Sequence, residues 1–476
     1  MISRPLRVQQ QEAQADLVEM PFEYSHWDFI KSTLTPLVNG TPSKKQVLLA
    51  IGAILSERKN DLSGATTTSL DQFSENSSSV LCLSHALDLF EEQYYPDDYN
   101  SEKSFIRTVI PFVANLVLDT EKYVPSKSLK YLKMGMMDTV EVSKVGAACL
   151  LANSFFCTWK RISNDALWEV FPSINYDEMF CEHPNYRPQL AKCLMLLNYF
   201  ARIHESFALI CQNPNLKIKF SRVCLSVNDI PDFANSSLPL TEIEVHSEGS
   251  ISDSKDALQM DFANKYIGGA SISFGCVQEE IEFSLCPEMN VARLICQVMQ
   301  DNESILITGA EQFSSHKGYA FTLDYGGNYM DTNKDSNGNS LKETSAIDAL
   351  VFNRITAHSQ WQKSNIDREI IKAYAGFCHS SRQKISTGCG AFLGDKELKS
   401  LIQTVAAAQA RKDLIYYTFK TQALDDHLAN LVNSMRKKGV TVGQLYQALC
   451  SIISTASSSS NSLPETFKAV KGILRL

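Results

Sequence analysis

An α/β layered domain preceded by a mainly α-helical one is the architecture this sequence predicts, and three observations predict it. Up to about residue 205, apolar residues recur at i, i+3, i+4 and i+7. Beyond it, short β-branched runs separated by turn residues alternate with helical stretches, the pattern of a sheet covered by helices. The chain of 476 residues, 44% hydrophobic and 21% charged, is long enough for two or three ordinary domains with sizeable cores.

Taken in order, residues 1–21 read as an N-terminal tail and 22–205 as the helical domain. The helical stretches are "KKQVLLAIGAIL", "SSVLCLSHALDLFEEQYY", "SFIRTVIPFVANLVLDT", "KVGAACLLANSFFCTW" and "PQLAKCLMLLNYFARIHESF". Between the first two, residues 57–79 are polar, Ser/Thr-rich and aperiodic, which predicts a mobile loop. Residues 206–452 form the second domain, with strands expected in "LKIKFSRVCL", "LTEIEVH", "ALQMDFANKYI", "SILITGAEQF", "AIDALVF" and "DLIYYTFK". Helices are expected in "CPEMNVARLICQVMQDN", where Pro287 suits a first turn, and in "KELKSLIQTVAAAQARK", which Asp395 precedes. Ligand loops belong at the strand ends of such a sheet. Residues 453–476 read as a serine-rich tail closed by one weak helix.

The formal net charge of −8 excludes a broad electrostatic grip on nucleic acid, which needs clustered Lys and Arg to displace phosphate counterions. Direct DNA binding is not expected, and any anionic ligand must be held locally. The 13 cysteines are scattered from Cys82 to Cys450 without a C-x-x-C pair, which fits a reduced intracellular compartment. The N-terminus lacks a signal-peptide run and no stretch of about 18 apolar residues occurs, so a soluble chain without membrane contact is expected. "MRKKG" (435–439) is too short to serve as a nuclear address.

Two motifs fail on their own spacing. "DTNKDSNGNSLKET" (331–344) resembles a calcium loop, but either register leaves the turn glycine or the bidentate Glu out of place, and a solvated hairpin loop is expected instead. The glycines of "YIGGA" do not make G-x-G-x-x-G, so a dinucleotide fold is not expected; a Gly-Gly turn still lets backbone approach a phosphate closely. Glu279 and Glu280, in an otherwise apolar segment that reads as a strand end, are the sharper signal. Two adjacent carboxylates resist burial unless paired, protonated or used. In unlike environments they suit glycosidic chemistry, one protonating a leaving oxygen and the other positioning sugar hydroxyls.

With its lead-in "LQMDFANKY", the stretch GGA, seven residues and QEE resembles the glycine-triplet and Gln-Glu-Glu signature of poly(ADP-ribose) glycohydrolases. "LLANSFFCT" with "FPSINYDEMF" is similar to that family's helical accessory domain. "ILITGAEQFSSHKGYA", "AIDAL", "GCGAFLGDKELKSLIQTVAAAQARKDLIYYTF" and "TVGQLYQAL" resemble successive parts of its catalytic domain, and the matches cover most of 145–450. The resemblance implies a macrodomain-like mixed central sheet flanked by helices. It further implies exo-hydrolysis of ribose–ribose O-glycosidic bonds, releasing ADP-ribose, by a monomer that needs no metal or cofactor. The implied partners are poly(ADP-ribose) and poly(ADP-ribosyl)ated proteins, encountered in the nucleus or cytoplasm during DNA-damage signalling.

Carried over position by position, Glu280 matches the catalytic acid and base, Glu279 the neighbour that orients ribose hydroxyls, and Asp261 the acidic residue that opens the segment. Asn264 and Gln278 match ribose-positioning residues, and Gly268 and Gly269 the close-approach turn. Tyr319 resembles the tyrosine of the phosphate region; Gly388, Cys389, Gly390 and Ala391 match the phosphate loop; Phe392 and Phe419 match aromatics around the terminal ribose and adenine. Ile251 and Ser252 stand where the family contacts adenine with Ile-Glu. Three departures follow. Ala270 replaces the third glycine, and a Cβ at a position calling for φ > 0 costs about 1 kcal/mol or more and crowds the diphosphate. The phosphate loop, "STGCG", is shorter than the family's, and Ser252 removes a carboxylate unless Asp253 replaces it. These changes motivate an alternative, a degenerate homologue that binds ADP-ribose or polymer ends without efficient cleavage.

Overall fold

The computed structural model describes residues 16–63, 78–95, 104–160, 170–181, 186–389, 394–456 and 463–476. The first half supplies helices α1 (Trp27–Asn39), α2 (Lys44–Ser63), α3 (Leu81–Tyr94), α4 (Ile110–Leu118), α5 (Lys144–Phe155) and α6 (Tyr186–Gln212). Local chemistry starts them where the pattern predicts: Ser143 Oγ accepts the Gly146 N–H at 3.0 Å at the head of α5, and Pro111 occupies the first turn of α4. α5 is buried along its whole length, which explains why its apolar residues continue around the helix instead of forming one stripe.

The second half, with one strand from the first, builds an eight-stranded sheet in the order β1-β2-β5-β8-β4-β9-β10-β3. Its strands are β1 (Asp138–Ser143), β2 (Lys217–Cys224), β3 (Ile243–His246), β4 (Leu258–Ala263), β5 (Glu303–Thr308), β8 (Glu343–Asp348), β9 (Lys384–Gly388) and β10 (Asp413–Tyr417). β6 (Ser314–Lys317) and β7 (Asp324–Asn328) form a separate hairpin. The sheet is mixed: β1, β2, β5 and β8 pair antiparallel in turn, while β8, β4, β9, β10 and β3 are parallel. β4, in the parallel part, is buried on both faces apart from Phe262. The carboxyl ends of the parallel strands share one rim, where Ala263, Gly388, Tyr417 and His246 lead into loops.

One core cluster joins the first-half helices to one face of the sheet through Ile218, Phe220, Ile305, Ile307 and Ala346. The other face, with Leu258, Met260, Ile385, Leu414 and Tyr416, packs under helices that include α9 (Lys363–Cys378), α10 (Lys396–Gln409), α11 (Gln422–Lys437), α12 (Val442–Ala456) and α13 (Thr466–Leu474). Asp395 caps α10, its Oδ1 accepting the Leu398 N–H at 2.7 Å.

Several elements differ from expectation for identifiable reasons. Gln278-Glu279-Glu280 is the first turn of α7 (Gln278–Leu285), not a strand end; the Glu280 carboxylate reaches back to accept the N–H of the N-cap residue Val277, which starts a helix there. The helix expected over "CPEMNVARLICQVMQDN" is a 3₁₀ turn, Pro287–Asn290, and a short α8, Val291–Ile295, so Val298 lies beyond it. β1, in "DTVEVS" within the helical half, joins the sheet beside β2. α2 continues to Ser63, so the aperiodic run is helical at its start, and its remainder at 64–77 lies outside the described residues. Val18 and Met20, placed in a tail, are buried in the first core, and Phe467 and Val470 of the C-terminal segment are buried in the second. Within 331–344, the Asp335 carboxylate accepts the Asn337 and Asn339 N–H groups at 2.9 and 2.8 Å, a turn closed by its own side chain.

Candidate active site

The loop from Ala263 to α7 folds back over the carboxyl end of β4 because two glycines allow it. Gly268 and Gly269 take φ of +83° and +46°, and a Cβ at Gly269 would come within 2.6 Å of Glu279 Oε2 and Glu280 Oε1. That close approach turns the loop amides onto the two glutamates. Glu279 Oε2 accepts the Asn264 N–H at 2.9 Å and its Oε1 accepts the Gly268 N–H at 2.6 Å. Glu280 Oε1 accepts the Ala270 N–H at 3.1 Å and its Oε2 the Val277 N–H at 3.0 Å. Both carboxylates are almost fully buried at the positive end of α7. Gln278 fixes the helix to the sheet: its Oε1 accepts the Phe262 N–H at 2.9 Å and its Nε2 donates to the Met260 carbonyl at 3.2 Å. Both ends of that amide bond to β4 and so hold the helix start against the sheet.

Asp261 projects from β4 with neither carboxyl oxygen hydrogen-bonded. Burial pushes this carboxyl well above the usual carboxylate range, the charges of Glu282 and Glu280 add to the effect, and Lys342 opposes it. Burial, with Asp261 adding, also raises Glu279, against the N–H groups of Asn264 and Gly268. A proton shared by this pair belongs on Asp261, since Glu279 alone has donors that favour the carboxylate. Glu282, one turn on, falls below its ordinary value although burial acts the other way, because Lys342 pairs with it at 2.5 Å. The carboxylates at this helix start therefore occupy unlike environments, as acid–base division of labour needs.

Around these groups stand the other candidate residues. Ile251 is buried in a 3₁₀ turn whose carbonyl accepts Ser386 Oγ from β9 at 3.0 Å. Ser252 Oγ donates to Glu282 Oε2 at 3.1 Å. Asn264 is exposed, its Oδ1 accepting the Tyr266 N–H at 3.0 Å. Tyr319 is half-exposed with its phenol turned toward the Gln278 backbone and Glu280. Phe419 takes a left-handed φ of +52° just past β10 and lays its ring over Gly388, where an added Cβ would meet ring carbon Cε2 at 2.8 Å. Cys389 is next to Gly388, its thiol pushed up to about 11 by burial. Gly390, Ala391 and Phe392 lie outside the described residues.

One of the departures, the strain at Ala270, resolves in the geometry. Ala270 is not among the residues with positive φ, and its methyl faces Gly275, where an added Cβ would lie 2.7 Å from it and from Glu280 Cδ. The strain expected at Ala270 is therefore absent, and it is Gly275 whose surroundings require glycine. Asp253 Oδ2 accepts the Ser250 N–H at 2.7 Å, and Ser252 Oγ donates to Glu282. The pattern of residues did not single out Lys192, Arg293 or Lys342, although each buries a charge against this site; a lone cation in an apolar helix, as in "PQLAKCLMLL", was the available signal.

Comparison with known proteins agrees with this arrangement. Residues 230–426 match the family model described as poly(ADP-ribose) glycohydrolase, macro domain fold, and residues 98–222 match the helical domain of the same family. The chain is 30% identical over 363 residues to probable poly(ADP-ribose) glycohydrolase 2 of Arabidopsis thaliana, covering 63% of this chain and 67% of that protein. It is 29% identical over 443 residues to poly(ADP-ribose) glycohydrolase 1 of the same plant, covering 74% and 79%. Against poly(ADP-ribose) glycohydrolase 1 of Caenorhabditis elegans it is 30% identical over 358 residues, spanning 71% of this chain but less than half, 43%, of the relative. With a helical domain leading into a mixed, helix-flanked sheet and a carboxylate pair at its rim, this chain belongs to the poly(ADP-ribose) glycohydrolase family.

Proposed function

We propose that this glycosidase cleaves the ribose–ribose O-glycosidic bonds of poly(ADP-ribose) and releases ADP-ribose, with Glu280 as general acid and base. The observation that carries the reading is the pair of adjacent buried glutamates, each gripped by backbone N–H groups of one glycine loop. Each N–H uses one lone pair of its oxygen, so Glu280 can still carry a proton on the other and give it to the leaving ribose oxygen as an oxocarbenium ion develops. The same carboxylate then takes a proton from the incoming water. Positioned proton transfer of this kind contributes roughly 10²–10⁴ in rate.

Glu279 serves as the fixed acceptor for ribose hydroxyls, and Asp261, uncharged beneath it, keeps a second negative charge out of the site. Asn264, Tyr319 and Phe419 supply polar and aromatic contacts at the rim, Gly388 to Phe392 the phosphate loop, and Ile251–Ser252 the adenine contact. The GGA and QEE segments act together as the catalytic loop, and residues 206–452 carry the chemistry with 22–205 as accessory domain. Poly(ADP-ribosyl)ated proteins are the proposed partners, met in the nucleus or cytoplasm. The motive for a binding-only homologue weakens once Ala270 adopts ordinary backbone angles. Incubation of purified protein with poly(ADP-ribose) should release ADP-ribose, resolved by chromatography. No release at high protein concentration, or release unchanged by Glu280→Gln, overturns the reading.

A further inference from the structure

Lys192 stands on α6, in the first half of the chain, and is 1% exposed. Its ammonium faces four backbone carbonyls of the catalytic loop: Ala270 at 3.3 Å, Ser271 at 3.1 Å, Ser273 at 2.7 Å and Gly275 at 2.6 Å. Arg293 of α8 takes two more, those of Ile267 at 3.3 Å and Gly269 at 2.9 Å. In a trans peptide the C=O of one residue and the N–H of the next point in opposite directions. The carbonyls of Ile267 and Gly269 therefore aim at Arg293 while the N–H groups of Gly268 and Ala270 aim at Glu279 and Glu280. By the same geometry, carbonyls 271, 273 and 275 held by Lys192 turn the N–H groups of Ile272, Phe274 and Cys276 away from the lysine.

We propose that Lys192 is a positioning residue for the reaction: an accessory-helix ammonium that sets the carbonyl pattern of residues 270–275 and so keeps Glu280, which the Ala270 N–H holds, in place. The inference rests on poly(ADP-ribose) being the substrate. It also explains why a helical domain accompanies the sheet, since one of the cations shaping the loop comes from that domain. Burial pulls Lys192 down to about 8, against the attraction of Glu280 on α7. The other titratable or charged groups facing it are Cys193 on α6, Cys276 on the loop and Arg293 on α8.

Four readouts test the assignment on the full chain. Lys192→Met should lower kcat about 100-fold, the scale of a displacement of about 1 Å in a catalytic group. It should weaken ADP-ribose binding, measured calorimetrically, and speed hydrogen exchange in peptides spanning 268–277 without changing it elsewhere. Lys192→Arg should restore most of the turnover, because it keeps the charge and the donors. In the wild type kcat should fall as pH rises through about 8, and Lys192→Arg should move that limb upward. Wild-type turnover and loop exchange in a folded Lys192→Met, or a folded Lys192→Arg as impaired as the methionine variant, overturns the proposal. If Lys192→Met does not fold, Lys192→Gln, which keeps two donors, takes its place; failure of all three to fold makes Lys192 a folding residue and also overturns it. A wild-type protein that releases no ADP-ribose sinks the substrate reading, while the exchange contrast still decides whether Lys192 shapes the loop.

Discussion

At the scale of single residues, the arrangement turns on which carboxyl carries charge. Asp261 is buried without a donor while Glu279 and Glu280 each accept two backbone N–H groups. Replacing Glu280 with Gln should lower kcat by roughly 10²–10⁴ while ADP-ribose binding persists, a split measurable by steady-state kinetics and calorimetry. Asp261 gives a stability signature with a definite sign. Its folded pKa is raised, so above about pH 4 the unfolded chain has lost a proton that the native state keeps, and stability falls as pH rises. Asp261→Asn removes that slope. The melting temperature of the variant, relative to wild type, should climb between about pH 4 and 8; a constant difference would show Asp261 to be ionised in the native state. None of this was legible from spacing, because the lack of a donor at Asp261 is set by the fold around it and not by its neighbours along the chain.

At the scale of elements, the catalytic loop shows how one backbone choice moves a constraint elsewhere. Ala270 avoids the left-handed region, and its methyl occupies the space beside Gly275. Ala270→Gly should leave turnover unchanged and cost about 0.4–1 kcal/mol by loosening the unfolded chain, seen in denaturant melts. Gly275→Ala should be the damaging change: its methyl would overlap the Ala270 methyl and Glu280 Cγ and Cδ, and a displaced acid predicts a kcat loss of about 100-fold with a smaller change in KM. The strands β2, β3, β4, β5, β8 and β10 were readable from short apolar runs between turn residues, whereas β9, inside the stretch read as a phosphate loop, was not. Nor was the QEE helix. Its start depends on Glu280 reaching back to the Val277 N–H, a capping contact that an apolar flank hides.

At the scale of the whole molecule, the helical half and the sheet are one cooperative body. They share a core cluster, β1 hydrogen-bonds to β2, and a buried ion pair, Lys144 to Glu288 at 2.6 Å, joins α5 to the turn after α7. Lys144→Met leaves Glu288 buried without its cation and should cost about 3–5 kcal/mol in chemical denaturation. A fragment beginning at residue 206 loses β1 and most of the helices of the shared core, and should fail to show a cooperative thermal transition.

The sequence by itself determined the succession of helical and layered regions, the family and the two adjacent glutamates, because periodicity, composition and a dense motif are properties of neighbours along the chain. Tertiary structure alone decided that a strand from the helical half joins the sheet, that Asp261 is buried without a hydrogen-bond donor, that Gly275 rather than position 270 requires glycine, and that Lys192 reaches the catalytic loop. Each of those depends on which groups from distant segments share a desolvated space, and the energy of a buried charge or an added methyl is set by those neighbours and not by the order of the chain.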